Sequence, residues 1–184
     1  MSLKYGLLGL LTYDEMSGYD LTKAFESSLQ FMWNAKSSQI YRELGKMEEE
    51  ELVASRVVPQ EKKFDRKVYR ITASGKAAFL KWVRHFPENL EVPIRDPFIV
   101  RVFFGEHLEQ DDLLFELKRF KKQKEEALDV LAYVSEAAKE AAVKGDLDAS
   151  FYYWQLTIRK AVKETEAEIE WAEETVEALE NGGI

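Results

Sequence analysis

The feature that most constrains this chain is an amphipathic helix followed directly by a basic hairpin, within residues 37–70. Ser37 or Ser38 is expected to cap the helix, because a side-chain oxygen there can accept a free backbone N–H group. One face of the helix is polar. The other is apolar at the steps of three and four residues that an α-helix requires: Ile40, Leu44, Met47 and, continuing, Leu52.

Two β-rich runs, residues 52–59 and 67–72, follow this helix. The turn between them carries three cations, Lys62, Lys63 and Arg66. A helix with one polar side, followed by a positively charged hairpin, is the layout of a winged helix. In that fold the helix enters the major groove of DNA and the hairpin, or wing, contacts phosphates. The pattern therefore predicts a DNA-binding module.

The remaining N-terminal sequence supplies the helices that such a module needs. Residues 2–11 are apolar on nearly every side, and a second helix is predicted from Ser17, which stands at capping-box spacing from Asp20. Residues 31–33 are predicted to be extended and to add a strand to the hairpin. Thr72 is expected to cap a fourth helix, residues 73–86, with four side chains facing inward: Ala77, Leu80, Trp82 and Val83.

The C-terminal half reads as a helical hairpin. Prolines interrupt residues 87–97, and residues 98–104 are predicted to form a short apolar helix ended by Gly105. A long helix, residues 109–144, and a second, from a cap at Asp148 to residue 179, follow. Their apolar or small residues alternate at steps of four and three, as in a coiled coil: Leu113, Leu117, Phe120, Ala127, Leu131, Val134, Ala138 and Ala141, then Phe151, Trp154, Ile158, Val162, Thr165, Ile169, Ala172, Val176 and Leu179.

The predicted fold is mainly α-helical, with an α+β winged helix-turn-helix first and an antiparallel coiled-coil hairpin after it. We expect a DNA-binding domain at residues 1–86, a connector at 87–105 and a dimerisation domain at 106–184. A single hairpin of two helices buries little surface, so association with a second copy is expected. A homodimer would present two wings and two reading helices to a pseudo-palindromic operator on double-stranded DNA.

Charge is divided unevenly between the halves. The net charge is −8, which by itself argues against nucleic acid. Residues 1–86, however, carry 14 Lys and Arg against 11 Asp and Glu, a net of +3, whereas residues 87–184 carry 12 against 23, a net of −11. The basic half is therefore the candidate for phosphate contact. The chain has no cysteine and no membrane-spanning apolar run, and we expect a cytoplasmic protein.

Several separated motifs resemble the PadR family of transcriptional regulators. These are Gly18-Tyr19-Asp20-Leu21, Phe31-Met32-Trp33, Gln39-Ile40-Tyr41-Arg42-Glu43-Leu44 and Tyr69-Arg70-Ile71-Thr72-Ala73-Ser74-Gly75. Arg42 stands where the family's usual form has a proline. That motif, with residues 93–98 and 103–105, is closer to the virulence-activator (AphA-type) subfamily. The resemblance spans nearly the whole chain and implies a winged helix-turn-helix, a C-terminal helical hairpin and a homodimer, without specifying an operator or an effector.

The candidate DNA contacts lie on three elements. A solvated surface is the alternative for each, and Tyr19 and Tyr41 are equally compatible with core packing. The acidic run at residues 48–51 would be repelled by phosphate, so only the N-terminal half of the reading helix is expected to enter the groove. The candidates are Ser37, Ser38, Gln39, Tyr41, Arg42 and Lys46 on that helix, Lys62, Lys63, Arg66 and Lys67 on the wing, and Tyr19 and Lys23 on the second helix.

Aromatic residues are dense enough to line an effector pocket for a small aromatic or hydrophobic molecule, although filling a domain or dimer junction explains them as well. The candidates are Trp33, Phe98, Tyr152, Tyr153 and Trp154. No enzyme, cofactor or metal is expected, because the two histidines, His85 and His107, lack a partner spacing for zinc or catalysis. The alternative function is a protein-interaction module that uses the winged helix as a scaffold and the acidic coiled coil as its partner site.

Overall fold

The computed structural model describes residues 2–59, 65–90 and 95–182 of the chain. The chain forms two compact units, Met1–Leu90 and Glu91–Ile184. The predicted class is confirmed: an N-terminal winged helix and a C-terminal pair of long helices. The finer division at residues 86 and 105 stays a prediction. Within the described ranges, every helix is too short or too polar to span a lipid bilayer.

The first unit packs four helices against a small antiparallel sheet of strand order β1-β3-β2. Its core is apolar and nearly free of solvent, with Leu7, Phe25, Ile40 and Leu44 each at most 1% exposed. Burial of such side chains supplies the main stabilisation of a unit this small. The elements are α1 Ser2–Leu10, β1 Met16–Ser17, α2 Gly18–Ser28, α3 Ser37–Glu49, β2 Val53–Val58, β3 Arg66–Ile71 and α4 Ala73–Arg84.

The third strand of the sheet is not where the sequence predicted it. Residues 31–33 form a turn, in which the backbone N–H groups of Met32 and Trp33 donate to the Leu29 carbonyl at 3.0 and 2.9 Å. Those bonds continue the end of α2 and leave no extended segment to pair. The strand is instead β1, whose Met16 and Ser17 lie opposite Tyr69 and Val68 of β3.

In the first unit, two of the three predicted helix caps are confirmed and one is wrong. The Ser17 hydroxyl accepts the Asp20 N–H at the start of α2, and the Thr72 hydroxyl accepts the Gly75 N–H at the start of α4. At α3, neither Ser37 nor Ser38 is the cap. The helix begins at Ser37, and the side-chain oxygen of Gln39 accepts the Lys36 N–H at 2.8 Å. The two serines consequently remain on the exposed surface.

The predicted inward face of α4 is wrong except at Trp82. Ala77, Leu80 and Val83 are exposed, and Trp82 is 43% exposed but packs one face of its ring on α1. The helix turns a different face inward because Gly75 lies against the backbone of Leu52, where a Cβ atom would come within 2.0 Å of the Leu52 carbonyl oxygen. From that contact, steps of four and three bring Phe79 onto the core and stack Trp82 on Tyr5, with ring centroids 4.8 Å apart.

The second unit is built on two long antiparallel helices. Asp146, in the left-handed conformation with φ 53°, makes the turn between them. Asp148, the predicted cap, is the first helical residue, and Leu147 holds the cap position. The elements are α5 Pro97–Phe103, a 3-10 turn Gly105–His107, α6 Gln110–Gly145 and α7 Asp148–Glu180.

The apolar residues predicted along both helices form their contact surface, here called the seam. All nine predicted α7 residues are buried or half-buried. On α6 the prediction fails only at the end, where Ala141 is exposed and Ala142 is 2% exposed. An α-helix has 3.6 residues per turn, so a strict seven-residue repeat drifts off the contact face and a further step of four restores it.

Ion pairs bridge the two long helices beside the seam. Lys on α6 faces Glu on α7 three times, with Nζ–Oε distances of 2.6, 2.8 and 2.6 Å: Lys118–Glu180, Lys121–Glu173 and Lys124–Glu168. The hydrogen bond from Lys121 to Glu173 raises the pKa of Lys121. The fixed order of these pairs along both helices defines their antiparallel register.

Candidate nucleic-acid interface

The outward face of α3 follows from its helical period. Ile40, Leu44 and Met47 are fully buried and Glu43 is 7% exposed, so the opposite side of the helix faces solvent. The structure brings together on this one exposed face all the predicted contacts of the helix: Ser37, Ser38, Gln39, Tyr41, Arg42 and Lys46.

Arg42 and Lys46 are the free cations of this face. Neither forms an ion pair with any residue in the ranges 2–59, 65–90 and 95–182. They are four residues apart, so their side chains leave the helix on the same side, about 6 Å apart along its axis. Two unpaired cations at this spacing can contact neighbouring phosphates or the edge of a base.

Tyr41 combines packing with exposure. Its ring covers Gly18 at the start of α2, where a Cβ atom would lie 2.5 Å from the ring carbon Cε1. The residue is nevertheless 49% exposed. Tyr41 therefore joins the two helices and still presents part of its surface to solvent.

Lys67 at the base of the wing is held by α3. Its ammonium group donates to Glu48 Oε2 at 2.7 Å, and the Ser55 hydroxyl of β2 donates to the other carboxylate oxygen. Hydrogen bonds from Lys67 and then Ser55 lower the pKa of Glu48, and the bond to Glu48 raises the pKa of Lys67. Glu48 thus fastens the end of α3 to both strands of the hairpin.

Arg66, one residue earlier, is held by α2. Its guanidinium group forms an ion pair with Asp20, whose carboxylate also accepts the Ser17 hydroxyl at 2.7 Å. Successive residues of a strand point to opposite faces, so Arg66 and Lys67 reach two different helices.

The two candidates on α2 are less available than those on α3. Tyr19 is 64% exposed, but Lys23 pairs with Glu26 at 2.8 Å. The hydrogen bond to Glu26 raises the pKa of Lys23. The last two predicted contacts, Lys62 and Lys63, lie outside the described residues.

Comparison with known proteins assigns the chain to a family. Residues 7–81 match the transcriptional regulator PadR-like family, and residues 94–180 match the family described as virulence activator alpha C-term. The negative transcriptional regulator PadR of Bacillus subtilis is 31% identical over 172 residues, which cover 93% of both proteins. The chain belongs to the PadR-like family of transcriptional regulators.

Solved structures of similar proteins match nearly the whole chain. Bacillus subtilis PadR in complex with operator DNA superposes with a TM-score of 0.79 at 30% identity, covering 97% of this chain and 99% of the other. The same protein with p-coumaric acid gives 0.75 at 27% identity, covering 97% and 95%. The Vibrio cholerae virulence activator AphA gives 0.74 at 26% identity, covering 97% and 98%.

The predicted effector residues of this PadR-like chain do not meet at one place within the second unit. Phe98 stacks on Phe120 with centroids 4.6 Å apart, whereas the turn of α7 that holds residues 152–154 lies near Ser135, which bonds Gln155. Fifteen residues of α6 separate these two levels, a distance of about 22 Å. Phe98 and residues 152–154 therefore cannot line one pocket in a single chain. Trp33, 43% exposed, belongs to the first unit.

The sequence did not indicate that two further residues, Asp20 and Glu48, belong to the candidate interface. Asp20 was expected only to support a helix cap and Glu48 only to repel phosphate. Their cationic partners lie 46 and 19 residues further along the chain, so no local pattern joins them. The one available signal is the adjacency of Arg66 and Lys67 on a strand, which requires partners on opposite sides. Among the described residues, no group of three His, Asp or Glu side chains could hold a metal ion.

Proposed function

We propose that this chain is a cytoplasmic, homodimeric transcriptional regulator that binds a pseudo-palindromic operator through α3 and the β2–β3 wing. The observation that carries the proposal is the pair Arg42 and Lys46, exposed on α3 and without ion pairs in the described parts of the chain. Membership of the PadR-like family and the operator complex of Bacillus subtilis PadR support it. A regulatory role, and not an enzymatic one, is part of the proposal.

The proposed roles follow from side-chain chemistry. Arg42 can donate two parallel hydrogen bonds to a guanine or a phosphate, and Lys46 contributes a point charge for phosphate. Ser37, Ser38 and Gln39 lie in the first turn of α3, where backbone N–H groups and the helix dipole favour an anion. Tyr19, Tyr41 and the wing cations would contact the flanking backbone.

A homodimer is supported by the apolar surface that the second unit leaves exposed. An isolated soluble protein rarely exposes so many large apolar side chains on one unit. These side chains are each more than half exposed in the single chain: Val100, Phe103, Phe104, Phe115, Val130, Tyr133, Val143, Tyr152 and Tyr153.

A small aromatic effector is the last part of the proposal. Bacillus subtilis PadR has been solved with p-coumaric acid. The candidate contacts in this chain are Trp33, Phe98 and residues 152–154, of which one effector molecule would contact only a part within a single chain. Addition of p-coumaric acid to a preformed DNA complex should then release the DNA, and fluorescence anisotropy would report the release.

The test of DNA binding uses the DNA upstream of the gene and a random fragment of equal length. Fluorescence anisotropy at two salt concentrations measures both affinities. Arg42→Ala and Lys46→Ala should each weaken binding to the upstream DNA by about 5- to 100-fold, which corresponds to roughly 1–3 kcal/mol. Binding to the random fragment should weaken less for Arg42→Ala than for Lys46→Ala, because only base contacts carry sequence information.

Lys76→Ala is the matched control, because Lys76 is an exposed lysine on α4, outside the proposed interface. It removes the same charge and should leave affinity close to that of the wild type. Equal binding by wild type, Arg42→Ala and Lys46→Ala would contradict the assignment of α3. Failure of the wild type to bind either DNA, even at low salt, would contradict the proposed function itself.

A further inference from the structure

Asp20 and Glu48 form a matched pair that DNA binding through α3 does not explain. Each carboxylate accepts one hydroxyl group and one cation of the wing: Ser17 and Arg66 for Asp20, Ser55 and Lys67 for Glu48. One carboxylate lies on each helix of the helix-turn-helix.

These ion pairs occupy the cations that the wing would otherwise offer to a phosphate. Arg66 and Lys67 are 44% and 47% exposed at the side chain, and Asp20 and Glu48 are 44% and 34% exposed. All four side chains are therefore partly open to solvent in their paired state. A carboxylate and a phosphate oxygen present the same kind of acceptor to a guanidinium or ammonium group, so the two anions compete for one partner.

The kind of DNA can decide whether a carboxylate or a phosphate binds Arg66 and Lys67. Exposed ion pairs contribute little to stability, because water and salt screen them. Every duplex offers phosphates, so phosphates alone do not distinguish an operator from other DNA. Only an operator adds the base contacts of α3. Those contacts can hold Arg66 and Lys67 close to the DNA backbone while their ion pairs with Asp20 and Glu48 open.

We propose that Asp20 and Glu48 restrict contact between the wing and phosphates to the operator, and lower overall DNA affinity, by competing with phosphates for Arg66 and Lys67. The inference rests on the proposed function, since it requires that the wing approach DNA. Off the operator the pairs stay closed, and non-specific affinity is lower than the wing's charge alone would give. On the operator they exchange for phosphates, so the free energy of the broken pairs is subtracted from operator affinity, and Arg66 and Lys67 contact phosphates only there.

The test measures how affinity depends on salt for the full-length protein carrying Glu48→Gln. The probes are a random-sequence duplex and the upstream DNA at matched length. Glu48→Gln should bind the random duplex about 3- to 10-fold more tightly. The slope of log affinity against log salt should steepen by about 0.9, the value for one additional phosphate contact. Affinity for the upstream DNA should rise at least as much, because the wild type must break the pair there, and its salt slope should change little.

Two further variants separate release of the cation from a general loss of negative charge. Glu49→Gln makes the same charge change one residue further along α3, at an exposed side chain that pairs with no cation in the described residues. Its salt slope should match the wild type. The double variant Glu48→Gln/Lys67→Ala lacks the freed ammonium group, so the additional slope should disappear.

On the random duplex, an unchanged slope in Glu48→Gln, or one equal to that of Glu49→Gln, overturns the inference and leaves the proposed function intact. Weaker binding to both duplexes together with a lower melting temperature also overturns it, because Glu48 would then only support the fold. If the wild type binds neither duplex at low salt, the proposed function fails and the inference fails with it.

Discussion

At residue 75 the backbone of α4 lies so close to the backbone of Leu52 that it limits the size of the side chain. The Leu52 carbonyl accepts the backbone N–H of Thr72 at 3.1 Å, and a Cβ at position 75 would lie 2.0 Å from the same oxygen. Retreat of this oxygen would break the bond that holds Thr72, the N-cap of α4. Glycine is therefore required here for space.

Gly75→Ala should lower the free energy of unfolding of the first unit by about 3 kcal/mol, the upper range for overpacking a well-packed site. Urea denaturation followed by circular dichroism would measure the change. Gly45→Ala is the control, because it lies in the middle of α3 with no atom within 4 Å of a Cβ. It should stabilise the protein by roughly 0.5–1 kcal/mol through helix propensity. A Gly75→Ala protein as stable as the wild type would show that the Leu52 carbonyl can move.

At the level of secondary-structure elements, the sequence predicted correctly the features that depend on neighbouring residues. The period of α3, the caps Ser17 and Thr72 and the two strands of the wing were all visible in the sequence. The strand β1 was not, because two residues are too few to show alternation and its only signal is its pairing with β3.

The prediction of the inward face of α4 failed for a related reason. Its apolar residues surround the helix, so periodicity allows several faces, and the contact of Gly75 with Leu52 selects one. The same limit applies to the candidate site. The exposed residues of α3 were predictable from its apolar stripe, whereas the pairing of Arg66 with Asp20 and of Lys67 with Glu48 depends on tertiary structure.

Lys124 interrupts the seam of the helical hairpin and is paired across it. It lies between Phe120 and Ala127 in the apolar repeat, its ammonium group 5.0 Å from the centre of the Phe120 ring and 2.6 Å from Glu168. The side chain can bury its aliphatic part in the seam while the charge reaches the partner helix. The pair therefore helps to fix which residues of α6 and α7 face each other.

Lys124→Glu should destabilise the hairpin by about 0.5–1 kcal/mol, because it replaces an ion pair with two facing carboxylates. The swap Lys124→Glu/Glu168→Lys should recover most of the loss. Urea unfolding at low salt measures both, and Lys122→Glu, at an exposed lysine with no ion pair among the described residues, is the control. A double variant no more stable than Lys124→Glu would argue that the aliphatic packing of Lys124 matters more than its charge.

For the whole molecule, the distribution of charge separates the two halves. The chain carries a net charge of −8, yet residues 1–86 have an excess of three cations. An acidic C-terminal half would be repelled by a phosphate backbone, which would confine contact with DNA to the winged helix.

The purified protein should have twice the 21.4 kDa chain mass in multi-angle light scattering. The mass should persist at high salt, since an association driven by the exposed apolar side chains of the second unit is not screened by ions. Dissociation to the single-chain mass on addition of salt would indicate an electrostatic interface. A single-chain mass at every concentration would contradict the dimer.

The two long helices also have a mechanical consequence. Three ion pairs and an apolar seam join α6 and α7 over a length of about 50 Å. When a helical hairpin of this length rotates as one body by about 4°, its far end moves by roughly 3.5 Å, close to the 3.4 Å rise of one base step. A ligand that tilted the hairpin by an angle too small to disturb its packing would thus shift whatever is fixed to its far end by a whole step of the double helix.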